Sequence, residues 1–253
     1  MFDFFISFFN IVLYQPLFNG LILLYEYLPG HDFGVAIIVL TVLIRVMLYP
    51  LGTKSIEAQK AMSVLQPKIK DIQQRFKADR EKQAKAMMEL YQKEKINPFS
   101  GCLPLLIQLP IIIALYRVFW RGFEPEQMSY LYSFITSPGI INPNFLGVID
   151  LAAPSIFLAV IAGVFQFFQS KMIMPQLSSK KESFKDKGPM AGFSDIMQKQ
   201  MLYFFPIFTI LILWKMPSAI GLYWITFTLF AIVQQHFTLK KNSNVQIPKN
   251  ANS

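Results

Sequence analysis

Five apolar blocks, each close to the length of a bilayer-spanning helix, alternate with segments in which nearly all the basic residues are collected. Few folds accommodate that pattern. A helix crossing about 30 Å of hydrocarbon needs roughly 20 apolar residues at about 1.5 Å each. The blocks are Gly34 to Leu51, Leu103 to Trp120, Ala152 to Met174, Gln200 to Trp214 and Ser218 to Leu239, and none contains Asp or Glu. The chain is 53% hydrophobic and only 15% charged, where a soluble domain carries nearer a quarter charged residues. The expectation is an all-α integral membrane protein, which excludes a soluble enzyme.

The position of the charge gives an orientation. Of 24 Lys and Arg, 11 lie between Thr53 and Cys102, five between Pro175 and Lys199, and three in the tail from Lys240. The opposite side holds only Arg121 and Lys215, with Arg117 just inside a span end. The positive-inside rule then places segments 53–102 and 175–199 and the tail 240–253 in the cytoplasm, and loop 121–151 outside. Met1 to Ile44 has no Lys or Arg, so no basic signal-peptide start is present and the N-terminus is expected to be retained.

Residues 1–33 leave two readings open. Asp3, Ser7, Asn10 and Tyr14 recur at helical spacing before Pro16, which favours an external interfacial helix kinked or broken at the proline. The rival is a sixth span. Residues 34–52 form the first transmembrane helix, and 103–239 supply the other four. From Ser55 to Ile96 the chain is charged, free of Gly and rich in helix formers. Met62, Leu65, Ile69, Ile72 and Phe76 keep a three-to-four spacing, as do Ala84, Met87, Met88 and Tyr91, so this stretch reads as a cytoplasmic helical hairpin bent at Pro67.

Arg45 carries the sharpest functional signal. It lies well inside an apolar block, where a guanidinium costs an estimated few kcal/mol even after snorkelling. No carboxylate in any span can pair with it, so it calls for a hydrated cavity or a visiting anion. Gln108, Gln166, Thr226, Thr228 and Gln234 lie on other spans and could line that cavity, as could Gln169, Thr209 and Gln235; each alone is as readily an interhelical hydrogen bond. No Ser/His or Cys/His pair suggests catalysis. His31 and His236 lie toward opposite faces, the single cysteine, Cys102, permits no intramolecular disulfide, and no cofactor, metal or nucleotide motif is present. The residues thus point to a non-enzymatic membrane protein. A small secondary transporter built around a lone intramembrane Arg is the alternative, though no internal repeat is visible.

Three runs carry a family resemblance: Gly34 to Leu51 with Arg45 and Pro50, Leu65-Gln66-Pro67-Lys68-Ile69, and Asn97-Pro98-Phe99-Ser100-Gly101-Cys102-Leu103-Pro104 continuing to Gln108-Leu109-Pro110. With Trp214 to Ser218, Leu222-Tyr223-Trp224 and Gln234-Gln235, they resemble the YidC membrane protein insertases over about Tyr14 to Gln235. The resemblance implies a five-transmembrane-helix core around a hydrophilic groove open to cytoplasm and lipid. In that groove the arginine matched by Arg45 meets the polar part of an incoming, newly made membrane protein. The hairpin is implied to recruit substrate, here through Met62, Lys68, Arg75, Arg80 and Met87. Nascent membrane proteins and the bilayer are the implied partners, with the ribosome and a Sec translocon as further ones and no DNA. The setting is the bacterial plasma membrane. The large external domain of Gram-negative members has no counterpart here, and the short basic tail argues against a strong tail-mediated grip on the ribosome.

Overall fold

Nearly every regular element is helical, as the apolar periodicity requires. The computed structural model describes residues 2–77, 79–97, 103–121, 125–173 and 200–243. Cys102, the Pro98 to Gly101 motif, the basic loop 175–199 and Lys249 of the tail lie outside the described residues. The helices are α1 (Phe2–Phe9), α2 (Gln15–Tyr27), α3 (Phe33–Met47), α4 (Tyr49–Arg75), α5 (Arg80–Lys93), α6 (Leu103–Arg121), α7 (Ile156–Ile173), α8 (Phe205–Leu213) and α9 (Ser218–Ser243). A two-stranded antiparallel hairpin, β1 (Asn144–Phe145) and β2 (Ile149–Asp150), interrupts the loop before α7.

Among the described residues two helices are long and apolar enough to cross a membrane, Ile6–Tyr27 and Ser218–Lys240. Phe33–Met47 and Tyr49–Arg75, bent by 69° at their junction, count as a third only if the pair is one span, and Gln108–Trp120, Ile156–Met172 and Leu202–Leu213 are shorter apolar helices. The first of the expected spans ends early. Its helix stops at Met47, and Leu48 (φ −87°, ψ 4°) separates it from α4. Pro50 accounts for the break, because it has no amide hydrogen to give the Val46 carbonyl four residues earlier and its ring crowds that carbonyl, so α3 cannot run on and the proline sits instead in the first turn of α4. The hairpin's first arm therefore begins at Tyr49 rather than near Ser55, and it runs through Pro67 as one helix.

Pro16 does not break the N-terminal helix. A π-helical turn over Asn10–Tyr14 leads directly into α2, with Pro16 in its first turn. The same device recurs at Gln200–Phe204, immediately before Pro206 in α8. A proline removes one amide donor and crowds the carbonyl four residues earlier. In both cases a π turn precedes the proline, the Gln15 amide reaching the Asn10 carbonyl in the first, and the helix continues past the proline without a break.

The chain divides into two compact units. The first comprises residues 1–48, 105–166 and 206–230. Its core joins Tyr14, Phe18, Leu21 and Ile22 to Phe33, Ile37, Val118, Phe119 and Leu151, with Tyr14 stacked on Phe18 and Phe33 edge-on to Phe119. Small residues set the closest helix approaches, as is usual where lipid supplies no hydrophobic drive between helices. A Cβ at Gly163 would lie 2.4 Å from Ile210, and one at Gly221 would lie 3.3 Å from Leu158. Asn19, nearly fully buried, is satisfied by the carbonyls of Gln15 and Tyr130 and the amide of Tyr132. At the start of α9, Ser218 and Ala219 donate their backbone N–H groups to Ala153 and Leu151, closing donors that a helix start leaves open.

The second unit, residues 49–104, 167–205 and 231–253, contains the hairpin. Leu65, Ile69 and Gln83 are buried in it. Asp79 caps α5 by accepting from the Lys82 amide at 3.0 Å, and an ion pair between Lys68 and Glu94 ties the two arms.

Candidate functional site

Arg45 sits in the last turn of α3, half-buried, and the structure gives it an aromatic setting. Its guanidinium carbon lies 4.3 Å from the centre of the Phe227 ring and 5.2 Å from that of Phe230, both on α9. Its Nε is buried with no hydrogen-bond partner, and no acidic group pairs with it among the described residues. Ring faces stabilise a cation through their quadrupole while leaving the edge N–H groups of the guanidinium uncommitted. One turn earlier on α9, Tyr223 stacks near Phe227 and accepts a hydrogen bond from the Gln108 side-chain amide of α6. Arg45, Gln108, Tyr223, Phe227 and Phe230 thus form one connected cluster in which a charge is held by neutral groups.

Arg117 shows the contrast. It too lies in an apolar helix without an acidic mate among the described residues, but its Nη1 donates to Asn10 Oδ1 at 2.8 Å and its guanidinium carbon lies 4.7 Å from the centre of the Tyr14 ring. The π turn that carries Asn10 therefore gives Arg117 both a hydrogen bond and a ring face. Among the described residues Arg45 has only ring faces.

The other expected lining residues are distributed. Gln166 accepts from Trp224 Nε1 at 3.0 Å, on a part of α9 about 100° around from Tyr223. Thr226 donates to the Leu222 carbonyl within its own helix. Thr228 is buried. Gln234 belongs to the second unit, where its amide donates to the Tyr49 carbonyl at 2.8 Å and to the Thr53 hydroxyl at 3.1 Å. That pair of bonds pins the root of α4 to α9, and Gly52 makes room for it: a Cβ there would meet Gln234 Nε2 at 2.8 Å. On the hairpin, Lys68, Arg75 and Arg80 are exposed, whereas Met62 and Met87 are half-buried and Val64 and Met88 present the open apolar surface. Tyr223, Phe227 and Phe230 were not among the expected residues. Their signal was an aromatic stripe at i, i+4 and i+7. Among the described residues no group of three His, Cys, Asp or Glu could hold a metal ion.

A family model described as the 60Kd inner membrane protein matches residues 23–245. The chain belongs to the YidC family of membrane protein insertases. The membrane protein insertase YidC of Fusobacterium nucleatum is 36% identical over 213 residues, covering 84% of this chain and 88% of that protein. Those of Shewanella loihica (38% over 218 residues) and Geobacter metallireducens (31% over 231) cover 86% and 90% of this chain. The chain spans 35% and 37% of those two relatives' length. The matched range takes in the whole Arg45 cluster, and membership in the YidC family displaces the secondary-transporter reading.

Proposed function

We propose that this chain inserts newly made proteins into the bacterial plasma membrane, and that Arg45 receives the polar flank of the arriving segment. The observation that carries the reading is the state of Arg45: a guanidinium inside an apolar helix, held by two ring faces, with a buried Nε left without a partner. Leaving a buried donor unmade costs about 1–3 kcal/mol. An acidic or carbonyl-rich flank can recover that cost without displacing a competing carboxylate. The apolar part of the substrate partitions into lipid beside the helices while its flank pauses at Arg45, Gln108 and the neighbouring polar side chains. The polar peptide thereby avoids an unaided passage through about 30 Å of hydrocarbon.

In this reading five spans form the core, and the α4–α5 hairpin and the tail face the cytoplasm. The basic asymmetry of the sequence supports that orientation. The hairpin recruits substrate through exposed Lys68, Arg75 and Arg80 and adjoining Met62 and Met87. Its excess of 11 basic over 6 acidic residues suits contact with the phosphates of ribosomal RNA, and a Sec translocon is a further partner. The test is reconstitution of the full chain in vesicles with a short single-span substrate bearing an acidic translocated flank. Protease protection of that flank should rise well above protein-free vesicles and should fall when Arg45 is replaced by Ala. Protection equal to that of empty vesicles would overturn the proposal.

A further inference from the structure

The β1–β2 hairpin between α6 and α7, with the loop before it, has features that water does not explain. From Gln127 to Ile149 the sequence contains no Asp, Glu, Lys or Arg, whereas the α4–α5 hairpin is densely charged. At the β1–β2 tip, Leu146 (φ +52°) and Gly147 (φ +71°) are both left-handed. Asn or Gly takes that conformation cheaply and a branched apolar side chain does not. Yet Leu146 is 67% exposed and its neighbour Val148 83%, with Ile140 at 97% and Phe134 at 74% in the preceding loop. A strained backbone is thus used to present apolar side chains.

The tip's location is fixed. Asp32 accepts the Val35 amide through Oδ1, capping α3, and the Leu146 amide through Oδ2 at 2.6 Å. Phe145 packs over Gly34, where a Cβ would come within 2.2 Å of its ring. Leu146 and Val148 are therefore bolted to the first turn of α3. If α3 crosses the bilayer, that turn lies at the headgroup level, and so does the tip.

We infer that the β1–β2 tip, with Ile140 and Phe134, inserts into the headgroup–acyl boundary of the leaflet at the N-terminal end of α3. The partner is lipid. Apolar side chains on an uncharged segment held at that depth gain by entering the boundary, where charged ones would be excluded. The inference stands apart from the insertase mechanism and from the orientation of the chain; it needs only that α3 is a span.

The experiment places single cysteines at 146, 148 or 140 of the full chain in a Cys102→Ser background. Each carries a nitroxide, in vesicles of phosphatidylethanolamine and phosphatidylglycerol. Collisional relaxation by oxygen, which favours lipid, is compared with that by nickel–EDTA diacetate, which stays in water. Leu43→Cys in α3 and Lys82→Cys in α5 serve as lipid and water references. The oxygen-to-nickel ratio at all three sites should exceed that at Lys82 several-fold and fall below that at Leu43. The Ile140→Cys site reads the result with the strained tip intact should tip substitutions impair folding. A ratio equal to that at Lys82 would overturn the inference. So would shielding from both reagents with spin–spin broadening that vanishes on dilution with unlabelled protein, which would mean a second copy covers the tip. An aqueous reading at Leu43 would remove the span on which the inference rests.

Discussion

Replacing Arg45 by Ala separates a charge that serves a substrate from one that serves the fold. On the stability side the substitution loses two ring contacts at 4.3 and 5.2 Å, about 0.5–2 kcal/mol each. It also removes a buried unpartnered Nε, which relieves about 1–3 kcal/mol. The two nearly offset, and the melting temperature in detergent should stay within a few degrees of the parent. On the functional side, a carboxylate about 4 Å from the guanidinium gains about 4 kcal/mol at an effective dielectric constant near 20. Desolvation and ordering of the flank return about half of that, leaving roughly a thirtyfold preference. Insertion of acidic-flank substrates should therefore fall about thirtyfold with Arg45→Ala. It should fall less than tenfold with Arg45→Lys, which keeps the charge but loses the planar fork. Neutral flanks should change little with either. Phe227→Leu, which removes the nearer ring and leaves the charge in place, should fall between the two. The assay is protease protection across substrates of graded flank charge, with melting temperature measured in parallel. Equal losses for acidic and neutral flanks, or a large fall in melting temperature with Ala, would refute the reasoning and make Arg45 a packing residue.

Three further outcomes follow from named contacts. Gly34→Ala drives a Cβ to within 2.2–2.9 Å of Phe145 and should destabilise by about 1–3 kcal/mol, read as a lowered melting temperature that Phe145→Ala restores in the double variant. Gly52→Ala expels the Gln234 amide from its bonds to Tyr49 and Thr53, at about 1 kcal/mol per bond; limited proteolysis should cut the α4–α5 hairpin faster, Gln234→Ala should match it, and the two changes together should add little. The Asp79 carboxyl is held below its ordinary range, chiefly by the backbone N–H of Lys82. Its contribution to the hairpin is therefore present above the unfolded carboxylate pKa and is lost as pH falls through the folded value, so the protection of the Lys82 amide relative to its intrinsic exchange rate should fall in that acid window, and in Asp79→Asn that fall should disappear.

The helical elements were legible because their causes are local. Apolar runs and the shift to a charged, Gly-free composition from Ser55 act within a few residues of sequence. The end of α3 at Met47 was readable in retrospect from Pro50, whose missing amide and clash with the carbonyl four residues earlier are as local as any cap. Pro16 and Pro206 were harder. A proline in an apolar helix predicts a break or a kink, and both helices continue because a π turn precedes the proline. Whether the chain breaks or widens depends on the packing of the surrounding side chains. Tyr14, at the end of the first π turn, is fully buried against Phe18 and bonded to Gln127, more than a hundred residues away.

The site was half legible for a related reason. Charge patterns find acidic partners, and their absence from every apolar block marked Arg45 as unusual, while Arg117 reads only as a residue just inside a span end. They do not find neutral partners. The amide of Asn10, which satisfies Arg117, is 107 residues from it in sequence. The rings of Phe227 and Phe230, which hold Arg45, look from sequence like any aromatic stripe on an apolar helix. Equally lone on sequence, the two arginines differ in chemistry only once folded. Arg117 gives a donor to Asn10, whereas Arg45 rests on ring faces that accept no hydrogen bond in the plane of its donors, and its buried Nε has no partner among the described residues.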